Sequence, residues 1–458
     1  MADMQHSTVR VLEQTQVSPP PGTVPSTSLP LTFFDAPWLL CRPMQRLYFY
    51  EFPHPTHHFL HTILPSLKHS LSLTLRHFFP LSANLLCPPF PAKPHFFYTN
   101  GDSIRLTVVE SPADFNHLMA DYPRNVQELH PFVPNLPPAR VVDGDTRVVP
   151  VMALQSVTFS HVAADGRAFH HFMKSWASVC KTGAHDLTSI EKSIPFHDRA
   201  VVKDPNGLEL IFLKEWWNWA STWKEGDSVI SDQLADKVRA TFDLGHSQIE
   251  RLKHWVQNQC SDTTNLYTST FVVTCALIWV CLVKSQQAFG ETNNVPDRNY
   301  EKPCYLIFVA DCRNRFELSI PFTYFGNCLA LCFVSVKKSE LLGVNGMVEA
   351  VKAIGNKVGE LESGGLKGAE KWMLDWKTVA ELGDYITVAG SQRLGIYETD
   401  FGWGRPKKTE LVQIDVSGAI SLAENREDKD GVEVGLALSR PNMDHFNSIL
   451  EKSLRLFH

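Results

Sequence analysis

Strand-like and helix-like segments interleave along this chain from one end to the other, and that alternation restricts it to a mixed α/β architecture. "SIRLTVVES" (103–111) and "RVVPVMALQSVTF" (147–159) carry the β-branched, alternating signature of strands. "FLHTILPSLKHSLSLTLRHFF" (59–79) instead spaces Leu60, Ile63, Leu64, Leu67, Leu71 and Leu75 as a helical stripe able to cover a sheet. The same mixture recurs later. "CYLIFVADCR" (304–313) and "NCLALCFVSV" (327–336) read as strands, and "LVQIDVSGAISLAE" with "VEVGLALS" as a hairpin across an acidic turn. "TSTFVVTCALIWVCLVKS" (268–285) reads as a buried helix capped by Ser269 or Thr270, and "MDHFNSILEKSLRLF" as a closing helix. With 458 residues the chain exceeds what one core usually supports. The polar "FHDRAVVKDPNG" (196–207), with its Pro-Asn-Gly turn signal, marks a crossover near 196–235 between similar-sized domains at 1–195 and 236–458.

A net charge of −6 without any Lys/Arg block excludes the electrostatic footprint of a nucleic-acid binder. The N-terminus lacks a cationic stretch leading into an apolar run, and Phe271 to Val283 is too short to cross a bilayer. A soluble cytoplasmic protein with no membrane partner is expected. Ten cysteines without paired CxxC spacing suit buried free thiols, not a disulfide framework or a metal site.

The spacing His-x-x-x-Asp occurs twice. His117 and Asp121 suit an exposed helix ending before Pro123, where they would form a surface pair of a few tenths of a kcal/mol. His161 and Asp165, in "FSHVAADG", follow a β run and precede an inward helical face of Ala168, Phe172, Met173, Trp176 and Val179. A histidine at a strand end facing a cleft suits general-base work, because imidazole titrates near neutrality and the scaffold fixes its orientation. The same placement also suits a core histidine that only satisfies hydrogen bonds.

Three separated motifs, "HVAAD" (161–165), "YFGNC" (324–328) and "DFGWG" (400–404), occur in an order that resembles the plant BAHD acyltransferases, and "LPLTFFDAPWL" and "VADCR" match in kind. "YFGNC" resembles the anthocyanin and flavonoid-glycoside branch. The resemblance implies two mixed α/β domains of the CoA-dependent, chloramphenicol acetyltransferase-like type with an interdomain channel. It implies His161 as general base, Asp165 paired with Arg313, and the Trp403 indole as oxyanion donor. Asp400, Gly402 and Gly404 would support the site structurally; Gly326 and Asn327 also suit a tight turn without any ligand. No cofactor is held permanently; acyl-CoA is a co-substrate, and a monomer is expected.

For the donor, a malonyl carboxylate would need a cation such as Arg167, whereas Phe169 would suit a flat hydroxycinnamoyl group. Asn327 is a further substrate-binding candidate. The implied acceptor is a sugar hydroxyl on an anthocyanin, flavonoid or other phenolic glucoside. One departure stands out. Where family members carry two strands joined by a Phe-Pro-Asn-type turn, "VVPVMALQSVTFSH" has no Gly or Asn for a hairpin and is short by roughly ten residues. Loss of that hairpin would favour a ligand-binding homologue without turnover. The absence of a G-x-S-x-G elbow disfavours a serine hydrolase.

Overall fold

The computed structural model describes residues 9–183, 188–220, 234–260, 266–293, 297–313 and 318–456. Three sheets organise them. The first has six strands in the order Arg10–Val17, Ile104–Glu110, Met152–Leu154, Val157–Phe159, Met44–Phe49 and Lys408–Leu411. The second has seven, running from Leu329–Lys337 through Pro303–Asp311, Tyr385–Gly390, Ile420–Glu424, Val432–Ser439 and Lys237–Leu244 to Arg124–Asn125. A third, of five strands, includes Thr146–Pro150 and Asn84–Cys87.

Each large sheet is completed by a strand from the other half of the chain. Lys408–Leu411 pairs antiparallel with Met44–Phe49, and Arg124–Asn125 pairs with Lys237–Leu244. Around these exchanged strands lies a buried ionic cluster. Arg239 meets Glu410 at 2.6 Å and Asp415 at 2.6 Å, and Arg124 meets Glu410 at 2.6 Å. Glu410 is held down to about 2: burial pushes it up, and the surrounding Arg239, Lys408 and Arg124 outweigh that push.

The expected loss of a hairpin before His161 is corrected here. Met152–Leu154 and Val157–Phe159 pair antiparallel from Met152↔Phe159 to Leu154↔Val157, leaving Gln155 and Ser156 as the turn. Neither turn residue takes positive φ, so the Gly or Asn that a mirror-image turn demands is not required. Side chains beyond the sheet anchor this short ribbon: Gln155 Nε2 donates to the Pro131 carbonyl at 2.9 Å and Thr158 Oγ1 to the Pro134 carbonyl at 2.7 Å. The flanking ladders are kept, to Ile104–Glu110 on one side and Met44–Phe49 on the other. The sheet is shortened and stays continuous.

Helix Gly166–Lys181 follows directly, with Ala168, Phe169, Phe172, Met173, Trp176 and Ala177 buried in the first core beside Leu64–Leu75. The second core surrounds Thr270–Thr292, capped by Ser269 Oγ, which accepts from Val272 N–H. At 23 residues this helix is longer than the sequence suggested and is apolar enough to span a membrane, but 78% of its most apolar stretch is buried within the protein. It is a core helix by packing. The ten cysteines are all free. His117 and Asp121 do not pair with each other, because the helix there is only Phe115–Leu118. His117 contacts Tyr122 and Glu128, whereas Asp121 joins Lys408 and Arg426.

Candidate active site

His161 sits in the turn between strand Val157–Phe159 and helix Gly166–Lys181. Its Nδ1 lies 3.1 Å from Asn327 Oδ1. The Asn327 amide can be oriented in one way only, because its Nδ2 faces three acceptors: Asp35 Oδ1 at 3.0 Å and the carbonyls of His161 and Val162 at 2.9 and 3.1 Å. Nδ2 must donate, so Oδ1 accepts. Imidazole Nδ1 therefore carries the proton, and Nε2 presents its lone pair. Asp35, fully buried, also accepts from Thr32 N–H at 2.9 Å and Thr32 Oγ1 at 2.8 Å.

Burial holds the His161 pKa below the ordinary imidazole value, against smaller upward contributions that include Asp165, Asn327 and Asp35. The ring is neutral at physiological pH. The Trp38 indole stacks on one imidazole face, with centroids 3.8 Å apart and planes 13° apart. His161 is 9% exposed.

Asp165 does a different job. Its Oδ1 caps the helix by accepting from Ala168 N–H at 2.9 Å; its Oδ2 accepts from Arg313 Nη1 at 2.8 Å and Cys328 N–H at 3.0 Å. Arg313 spends its remaining donors on Asp311 and on the carbonyls of Tyr324 and Gly326. This buried pair ties the His161 turn of the first half to the 311–328 region of the second. A side chain at Gly326 would collide with the Arg199 guanidinium, which itself donates to Tyr324 Oη at 2.6 Å. "YFGNC" is thus the second half's docking surface for the histidine turn.

Several candidates fall elsewhere. Asn327 is fully buried with its amide committed to protein partners, so it orients His161 and has no donor left for substrate. Phe169 is 1% exposed and stacked on Phe159 at 4.1 Å, sealed inside the first core. Arg167 donates to Asp311 at 2.5 Å and lies over the Phe322 ring, so it is no free cation for a carboxylate. "DFGWG" lies at the far end of the helix that Asp165 starts. Asp400 meets Lys181, the last helical residue, at 2.6 Å, and accepts from Gly402 and Gly404 N–H at 2.9 and 3.0 Å. Burial pushes Asp400 up, but these donors prevail and lower it. Sixteen helical residues at 1.5 Å each put about 24 Å between the two ends. Trp403 accordingly packs with Tyr50, Phe52 and Phe401, and among the described residues no ring contact or hydrogen bond joins it to His161. No contact in the described residues brings the expected oxyanion donor to the base, and Asp400 braces the Gly402 and Gly404 loop against the opposite end of the helix.

Sequence reasoning did not single out Asp35, Trp38 or Arg199. Asp35 and Trp38 lie within "LPLTFFDAPWL", but nothing local reveals contacts across nearly 300 residues. A cavity of about 370 Å³, lined by Val24, Leu29, Arg76, Phe79 and His197 among others, does not include His161. Among the described residues no His, Cys, Asp and Glu side chains converge as a metal site.

A buried imidazole anchored through Nδ1 where the two α/β halves meet is an arrangement compatible with acyl transfer. The Transferase family model matches residues 8–453. The chain is 39% identical to a coumaroyl-CoA:anthocyanidin 3-O-glucoside-6''-O-coumaroyltransferase of Arabidopsis thaliana, over 98% of each chain. It is 37% identical to a malonyl-coenzyme A:anthocyanin 3-O-glucoside-6''-O-malonyltransferase of Dahlia pinnata, over 97% of each. Its fold resembles the crystal structure of vinorine synthase, with TM-score 0.63 at 16% identity over 96% of each chain. The chain belongs to the BAHD acyltransferase family and is an acyl-CoA-dependent acyltransferase.

Proposed function

We propose that the protein transfers a hydroxycinnamoyl group from its CoA thioester to a sugar hydroxyl of an anthocyanin, flavonoid or other phenolic glucoside. The Asp35–Asn327–His161 relay carries this reading, because it fixes the tautomer that a base requires. His161 Nε2 takes the acceptor's hydroxyl proton as its oxygen bonds to the thioester carbonyl carbon. The tetrahedral adduct then collapses with cleavage of the C–S bond, and the imidazolium returns the proton to the departing thiolate. The ester and free CoA leave, and no acyl-enzyme forms. A base of this kind contributes about 10²- to 10⁴-fold, and holding both substrates in a channel between domains 1–195 and 236–458 contributes further.

The commitment of Arg167 to Asp311 supports the aromatic donor, since a malonyl carboxylate entering an apolar channel needs an unpaired cation. The malonyl-transferring relatives keep malonyl-CoA as the second reading. We propose a cytoplasmic monomer: ten free thiols suit a reducing compartment, and both halves of one chain complete the site. The test is incubation with p-coumaroyl-CoA or malonyl-CoA and an anthocyanin glucoside, following thiol release. Acceptor-dependent release that disappears in His161→Ala supports transfer; protection against heat by the ligands without release supports the non-catalytic binder.

A further inference from the structure

We propose that Trp38 is a positioning residue for His161 that also stabilises the imidazolium formed when the ring accepts the acceptor's proton. The inference rests on the reading of His161 as the base. Its own support is the stacking geometry: centroids 3.8 Å apart and planes within 13°, with the indole against one face of the imidazole and His161 9% exposed.

A neutral imidazole gains only dispersion from such a contact. Once protonated, it places a cation over the most electron-rich aromatic face among the side chains, and the attraction grows. The contact is therefore stronger after proton transfer has begun, which is the condition for an interaction to accelerate a reaction. The carboxylates around the ring also favour the imidazolium, but each is shared with other partners. Asp165 is spent on Arg313 and the Cys328 N–H. Asp35 acts through the Asn327 amide and is also engaged by Thr32 and Arg199. Asn327 grips Nδ1 in the ring plane while Trp38 holds the ring from its face, so Nε2 is the imidazole atom left for substrate.

The test replaces Trp38 alone with singly, doubly and triply fluorinated tryptophan, which drains the π-face while keeping shape and burial. The His161 ring is titrated by NMR in the full-length protein without substrates, its signal assigned by its loss in His161→Asn. The expected result is a stepwise fall in the His161 pKa of about one unit across the series, with the acid limb of kcat/KM moving equally. A pKa that stays constant or rises with fluorination overturns the inference. Because the titration needs no turnover, it stays separate from the base assignment, which would fall if His161→Ala kept its activity.

Discussion

Helix Gly166–Lys181 joins two environments that differ in nearly every physical respect. At its N-terminal end Asp165 and Arg313 are buried and satisfied by partners from distant stretches of chain. At its C-terminal end Lys181 and Asp400 form a partly exposed pair bracing a glycine-rich loop. A buried pair that loses one member leaves an uncompensated charge, whereas an exposed pair gives up little. The two motifs on this helix, though both characteristic in sequence, therefore carry different kinds of information: one builds the proposed reaction centre and the other secures the scaffold.

That contrast can be broken most sharply at the base. His161→Ala is expected to lower kcat by about 10²- to 10⁴-fold with little change in KM, read by steady-state kinetics; a loss below tenfold would remove His161 from the chemistry. Next, Arg313→Met should cost roughly 3 to 5 kcal/mol of stability in denaturant unfolding, by stranding the Asp165 carboxylate. Asn327→Ala should follow, lowering kcat about tenfold or more in a folded protein, since imidazole Nδ1 and Asp35 both lose a partner. The pH profile sharpens the comparison without mutation. With the His161 pKa depressed by burial, the acid limb of kcat/KM should be centred below 6.5, the ordinary imidazole value. A fall centred above 6.5 would contradict the burial argument. The smallest effect belongs to Lys181→Ala, expected to change stability by less than about 1 kcal/mol and leave the pH profile in place.

Much of this organisation was legible in the residues. Strand and helix periods located most elements, and resemblance to the family led to the Asp165–Arg313 pairing that the structure displays. What failed had a common cause: local pattern was asked to report distance. Trp403 belongs to a characteristic motif, yet a four-turn helix separates it from the base. Phe169 lies close to His161 in sequence, but helical geometry turns it into the core against Phe159. The hairpin was missed for the opposite reason. Its turn composition was judged against mirror-image turns, while Gln155 and Ser156 reverse the chain without positive φ, and Gln155 and Thr158 anchor the ribbon to the Pro131 and Pro134 carbonyls. Asp35 and Trp38 acquire meaning only once residue 327 and the 161 turn are brought beside them.

The exchange of edge strands has its own consequence. Because Lys408–Leu411 closes the sheet built mainly by the first half, and Arg124–Asn125 closes the one built by the second, a chain cut between the two halves would leave two fragments still clasped together. Either fragment made alone would carry an open, sticky margin. Neither half completes its own large sheet, so each depends on the other for its last strand.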